Sequence, residues 1–197
     1  MIKTIIFDFG GVIGTDADII FIEVLEENGI SKERAIEIFE KHWPKFKVGG
    51  EGVKEVWKSV EIEFGQDISK ILKEYESRVE VYPDVLELCK QLKDQGFKLG
   101  VLANESREWM NIKREKGNLN QKFDKVYSSA DINIPKPNEE SYKFILKELA
   151  SKPEETLFID NMERNTKAAE KIGLKTILYT NLDQLKKELV SFGISIN

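Results

Sequence analysis

Thr4-Ile-Ile-Phe7 is a short apolar, β-branched run that stops abruptly at one carboxylate, Asp8, and three glycines follow within the next six residues, Phe9 to Gly14. Such a run suits a strand buried on both faces, as in a parallel sheet, and the acid after it is delivered to an open edge of that sheet. In open α/β sheets, ligands bind just beyond the carboxyl ends of the strands, where glycines let backbone N–H groups approach an anion. Asp8 is therefore a candidate nucleophile. The glycine-rich turn that follows it leaves room for an anion to approach the backbone.

The rest of the chain changes rhythm twice. From 15 to 79 it reads as four amphipathic helices with no strand between them. Ile20, Phe21, Val24 and Leu25 lie on the first; Ser31 caps a second carrying Ile38, Phe39, Trp43 and Phe46. Gly49, Gly50 and Gly52 break the pattern, a third helix carries Val53, Val56, Trp57, Val60 and Phe64, and Asp67 opens a fourth with Ile68, Ile71, Leu72 and Tyr75. From Tyr82 onward, helices and strands alternate, which predicts parallel βαβ units. Pro83 opens a helix ending at Gly96; strands are expected over 97–103, 125–129, 156–159 and 175–179, with helices over 106–117, 138–149 and 164–172 and a last one starting near Asn181. The predicted fold class is α/β, a Rossmann-like parallel sheet with helices on both faces. Residues 1–14 and 80–197 form the core, and 15–79 form a four-helix unit inserted after the first strand.

Composition excludes several functions. The 197 residues carry 30 Lys and Arg against 35 Asp and Glu, a formal charge of −5, so there is no excess of cations for a phosphate backbone, and nucleic acid is not an expected partner. A single cysteine, Cys89, rules out an intramolecular disulfide and a cysteine zinc site; helical spacing aligns it with Val85 and Leu92 as a small core residue. His42, the only histidine, has no partner motif for a catalytic dyad, and a packing role in the helical insert is its expected use. No apolar run approaches membrane-spanning length, and Met1 leads straight into the first strand without a signal peptide. A cytoplasmic protein with no membrane partner is expected.

Three predicted strand ends present polar groups: Asp8, Asn104 after Val101-Leu-Ala103, and Asp160-Asn161 after Leu157-Phe-Ile159. A parallel sheet collects these at one edge. Lys136 lies in Ile134-Pro-Lys-Pro137 just before a helix, where two prolines restrict its loop. One carboxylate to attack, one lysine to neutralise transferred oxygens, and further acids beside a cation make a phosphoryl-transfer site.

The motif order resembles the haloacid dehalogenase-like (HAD) superfamily, specifically subfamily I with a helical C1-type cap after the first strand. Phe7-Asp-Phe-Gly-Gly-Val-Ile13 is similar to its first motif, Gly96-Phe-Lys-Leu-Gly-Val-Leu-Ala-Asn104 to the segment leading into its second, Lys136-Pro137 to its third, and Phe158-Ile-Asp-Asn-Met-Glu-Arg-Asn165 to its fourth. The resemblance spans essentially the whole chain and implies a Mg²⁺-dependent phosphatase of a small phosphorylated metabolite. By that analogy Asp8 attacks phosphorus and Lys136 holds Asp8 and a phosphoryl oxygen. The N–H groups of Phe9, Gly10, Gly11 and of Asn104, next to Ala103, cradle the other oxygens, and Mg²⁺ lies among Asp8, the Gly10 carbonyl, Asp160 and Asn161.

Three positions depart from the pattern the resemblance implies. Gly10 stands where an acid/base Asp is usual, so it offers a carbonyl and no proton; leaving groups that need little protonation, such as sugar 1-phosphates or acyl phosphates, are then favoured. Ala103 replaces a phosphate-binding hydroxyl, for which Ser106 on the following turn is the nearest substitute. Asn161 replaces the second acid of a metal-binding pair and brings an oxygen without charge. Two other functions stay open on these residues: a fold-retaining binding protein with weak or no catalysis, and a metal-free 2-haloacid dehalogenase in which an Asp attacks carbon. The acid kept at Asp160 has little use in the latter. Trp43, Phe46 and Trp57 are expected to pack the helical insert, and Lys45 and Lys47 to face substrate or water.

Overall fold

The structure is a computed structural model that describes residues 1–50, 52–65 and 67–196. Five strands, β1 (Thr4–Phe7), β2 (Lys98–Ala103), β3 (Lys125–Ser128), β4 (Thr156–Asp160) and β5 (Lys175–Leu178), form one sheet in the spatial order β3-β2-β1-β4-β5. Every pairing is parallel, so all five carboxyl ends lie along one edge. The α/β class expected from the sequence is the fold that forms.

Register decides what meets at that edge. Phe7 pairs with Val101 of β2 and Ile159 of β4. Asp8 therefore stands level with Asp160, and its N–H donates to the Ile159 carbonyl at 2.8 Å. Two carboxylates on adjacent strands repel, so an ammonium or a cation is required between them.

Before the second strand come α1 (Ala17–Glu27), α2 (Lys32–Phe46), α3 (Val53–Phe64), α4 (Ser69–Arg78) and α5 (Pro83–Asp94). After it come α6 (Arg107–Gly117), α7 (Leu119–Lys122), α8 (Ser129–Ile132), α9 (Glu139–Glu148), α10 (Glu163–Lys171) and α11 (Leu182–Ser191). The caps fall where residue chemistry puts them. Ser31 accepts from the Arg34 N–H, Asn138 from Glu140 and Asn181 from Gln184, Pro83 opens α5, and Gly96 follows that helix with φ 90°.

Side-chain alternation along the strands divides the interior. Ile5, Phe7, Val101 and Ile159 point to one face, packed with Val85, Leu88, Cys89 and Leu189; Ile6, Leu102 and Phe158 point to the other, against Tyr142, Ile145 and Ala169. A third apolar cluster belongs to α1–α4, with Phe21, Phe46, Trp57 and Tyr75 at its centre, and α6 contributes Trp109 to it. Trp109 packs edge-on to Phe46 at 4.8 Å and tilted to Tyr75 at 4.8 Å.

The departures from the sequence expectation are local. The strand predicted to 129 ends at Ser128, because the Ser128 side chain accepts from the Asp131 N–H while Asp131 accepts from the Ser128 N–H, a capping box that starts α8. The fourth helix opens at Ser69 rather than Asp67: the Asp67 carboxylate accepts from both the N–H and the hydroxyl of Ser69 and makes a turn there. Neither α7 nor α8 has enough length for its periodicity to be read.

Candidate active site

A cavity of about 300 Å³ opens at the carboxyl edge of the sheet, and Asp8, Gly10, Ala103, Asn104, Lys136 and Asn161 all line it. The structure thus brings together six residues that sequence reasoning singled out, drawn from four separate segments. Asp160 sits just behind the wall, fully buried.

Lys136 joins the two acids. Its Nζ lies 2.8 Å from Asp8 Oδ1 and 2.7 Å from Asp160 Oδ2, and all three side chains are buried. Asp160 is further held by the Met162 N–H at 2.8 Å and by Asn165 Nδ2 at 3.1 and 3.0 Å. Burial, opposed by Lys136 and reinforced by Asp160, raises the Asp8 carboxyl to about 7. For Lys136, burial alone lowers the pKa, and Asp8 with Asp160 reverse that, so the ammonium is held in its charged form above the usual lysine value.

What aims Lys136 was not legible from the two prolines around it. The Asn104 side chain grips its backbone twice: Asn104 Oδ1 accepts from the Lys136 N–H at 2.8 Å, and Asn104 Nδ2 donates to the Lys136 carbonyl at 2.8 Å. The end of β2 is thereby fastened to the loop before α9.

The turn after Asp8 distributes its N–H groups unequally. Phe9 N–H donates to Asp8 Oδ1 at 2.6 Å and Gly11 N–H to the Gly14 carbonyl at 2.8 Å, so neither faces an incoming anion. Among the described residues, the amides of Gly10 and Asn104 have no intramolecular acceptor, so these two remain free to donate at the cavity. The Phe9 ring lies wholly inside the core. Ala103 reaches the cavity without a hydroxyl, and Ser106 does not replace it, because the Ser106 oxygen caps α6 by accepting from the Trp109 N–H at 3.1 Å.

Several lining residues had no motif to announce them. Asp16, at the start of α1, reaches back over the glycine turn: a Cβ on Gly10 would overlap Asp16 Oδ1 and lie 3.2 Å from its Cγ. Burial, first, and then Asp18 raise the Asp16 carboxyl to about 6. Glu105 and Lys113 form a second buried pair at 2.6 Å, with Lys113 also 4.7 Å from the centre of the Phe9 ring. Arg164 and Met162 line the cavity after β4, and Phe39 and Trp43 of α2 line it from the helical segment. Phe46 and Trp57 only pack, as expected, and His42 is buried with Nε2 2.8 Å from Ser59 Oγ. Lys47 lies 5.9 Å from the centre of the Trp43 ring.

The donors around Asp8 suit one hard cation. Among the described residues no cluster of three His, Cys, Asp or Glu is arranged to hold a metal. Mg²⁺, however, commonly takes one or two carboxylates and fills its shell with water, carbonyl and phosphate oxygens. With both acids ionised, Asp8 and Asp160 with Lys136 carry one net negative charge, Asn161 and the Gly10 carbonyl are neutral oxygen donors, and Asn165 Oδ1 is buried in the cavity wall with no partner. These residues fit Mg²⁺.

The geometry agrees with comparison to known proteins. The profile of the haloacid dehalogenase-like hydrolase family matches residues 5–179, and the chain belongs to that family. Among curated relatives, the pyrophosphatase PpaX of Bacillus mycoides is 31% identical over 103 residues, 52% of this chain and 48% of the relative. The matched stretch therefore spans about half the length of that relative. A HAD family enzyme of Bacteroides thetaiotaomicron, solved in complex with magnesium and inorganic phosphate, superposes with a TM-score of 0.77 at 23% identity, over 91% of this chain and 95% of that one. The L-2-haloacid dehalogenase of Xanthobacter autotrophicus, with chloropropionic acid covalently bound, superposes with a TM-score of 0.66 at 21% identity, over 100% of this chain and 85% of the other. These structural likenesses establish the shared fold.

Proposed function

We propose that this hydrolase is a Mg²⁺-dependent phosphatase of a small phosphorylated metabolite, acting through an aspartyl-phosphate on Asp8. The observation that carries the reading is the buried Lys136 ammonium at 2.8 Å from Asp8 and 2.7 Å from Asp160, in the wall of the cavity where β1 and β4 end. The magnesium and phosphate held by the Bacteroides structure and the pyrophosphatase relative support the same chemistry.

In this reading Asp8 attacks phosphorus and the P–O bond to the leaving group breaks. Lys136 keeps Asp8 oriented and offsets charge on a phosphoryl oxygen, while the free Gly10 and Asn104 amides donate to the other oxygens. Asp8, Asp160, Asn161 and the Gly10 carbonyl would hold Mg²⁺, which supplies charge neutralisation for the transferred group. Water then attacks phosphorus and releases phosphate. Residues 15–79 act as a cap over a core of 1–14 and 80–197; the separate apolar cluster of α1–α4, with Phe39 and Trp43 turned to the cavity, supports that division.

The missing hydroxyl at Ala103 and the neutral Asn161 favour a second reading, a binding protein that keeps the pocket without turnover. Phosphate release from an activated aryl phosphate and a panel of small phosphate esters, with Mg²⁺ or with chelator, separates the two. Turnover that needs Mg²⁺ and disappears in Asp8→Asn is the expected result; release equal in wild type and Asp8→Asn at high enzyme would leave only the binding reading.

A further inference from the structure

Asp16 is an N-cap that does not cap. It precedes α1 with extended backbone, φ −73° and ψ 131°, yet its side chain accepts no hydrogen bond from the helix start. An Asp in that place ordinarily stabilises the helix start by accepting from its free N–H groups. Its carboxylate lies instead against Gly10 and Gly11: a Cβ on Gly10 would overlap Asp16 Oδ1, and one on Gly11 would lie 2.9 Å from Asp16 Oδ2 and overlap the Asn161 amide. Gly11 needs to be glycine for its backbone as well, with φ 68°. Gly10 does not. Its φ lies outside the left-handed region, and the three nearest atoms to its absent Cβ all belong to Asp16. A side chain at position 10 would thus have to displace the Asp16 carboxylate.

Four carboxylates, Asp8, Asp16, Asp18 and Glu105, line the cavity, and a fifth, Asp160, lies buried behind its wall. Asp8 and Asp160 are bound to Lys136, Glu105 to Lys113 and the Ser106 N–H, and Asp18 Oδ1 to the Ile19 N–H. Of these five, Asp16 is the one whose side chain has no hydrogen-bond or ion-pair partner among the described residues. It lies over the second residue after the nucleophile.

We propose that Asp16 is the proton-handling residue of this site, supplying from the start of α1 the carboxylate for which Gly10 has no side chain. The inference rests on the phosphatase reading and adds a residue to it. As the bond between phosphorus and the leaving-group oxygen breaks and the Asp8–phosphorus bond forms, the Asp16 carboxyl gives its proton to that oxygen. As water attacks phosphorus and the Asp8–phosphorus bond breaks, the Asp16 carboxylate takes a proton from the water, which restores both acids.

The test compares wild type, Asp8→Asn, Asp16→Asn, Asp16→Gly and the relocated pair Gly10→Asp with Asp16→Gly, on an aryl phosphate and an alkyl phosphate in Mg²⁺. Asp16→Asn is expected to lose about 10²- to 10⁴-fold on the alkyl ester. On the aryl ester it should give a burst of one phenolate per enzyme and slow turnover after it, with phosphate on Asp8 seen by intact mass. The relocated pair is expected to recover at least about tenfold over Asp16→Gly, since removal of the Asp16 side chain frees the space at position 10. A folded Asp16→Asn that loses less than about threefold on both esters, or that loses both equally with no phosphorylated Asp8, overturns the assignment. A wild type no faster than Asp8→Asn overturns the phosphatase reading itself, and this inference with it.

Discussion

Two lysines are buried near the same cavity, in opposite electrostatic situations. Lys113, on α6, faces one carboxylate, Glu105, at 2.6 Å and packs over the Phe9 ring, so its charge is balanced one for one. Lys136 faces two carboxylates at 2.8 and 2.7 Å and leaves one negative charge over. A balanced pair satisfies itself and behaves as structure; an unbalanced triad in a cavity wall, with both acids ionised, keeps a surplus carboxylate of the kind that suits a cation. Burial alone does not distinguish them, because both are 2% exposed. The count of partners does.

The largest effect that can break this comparison is on stability. Lys113→Met strands Glu105 in the core and is expected to cost about 3–5 kcal/mol in urea unfolding, while Lys113→Met with Glu105→Leu returns most of it. If the single variant instead unfolded like wild type but lost turnover, Lys113 would belong with Lys136. Next in size is Lys136→Met, which should lower turnover about 10²- to 10³-fold in protein that remains folded by circular dichroism. Retained turnover would remove Lys136 from the proposed chemistry. The smallest is Asn104→Ala. It leaves the Lys136 N–H and carbonyl without their side-chain partners, for about 1–3 kcal/mol of stability. A drop in turnover of about tenfold should accompany it if that grip aims the ammonium. An unchanged rate at a lowered urea midpoint would make Asn104 a fastener only.

The same contrast separates what was legible from what was not. Lys136 stood out in the sequence because Ile134-Pro-Lys-Pro137 is a short motif before a helix. Lys113 lies among charged residues in Asn111-Ile-Lys-Arg-Glu-Lys116, a pattern that reads as a solvated helix face. In the structure it is 2% exposed, since α6 turns that residue toward Glu105 and the ring of Phe9. The Phe9 and Gly11 amides illustrate the converse. A glycine-rich turn predicts an anion-facing loop, yet which of its N–H groups remain free depends on bonds to Asp8 and Gly14 that spacing does not reveal.

Element types followed from local rules. Apolar β-branched runs made strands, 3.6-residue periodicity made helices, and Ser31, Asn138, Asn181 and Pro83 marked helix starts, because each acts within a few residues of itself. Parallel topology then brought Asp8, Asn104 and Asp160 to one edge. The sequence by itself therefore determined the fold class and the residues gathered at that edge. Tertiary structure alone decided the level pairing of Asp8 with Asp160, the Asn104 clamp on Lys136, the burial of Lys113 and the reach of Asp16 over Gly10. Each of these joins segments distant in the chain or turns on a side-chain direction, and such contacts are set by how the elements pack.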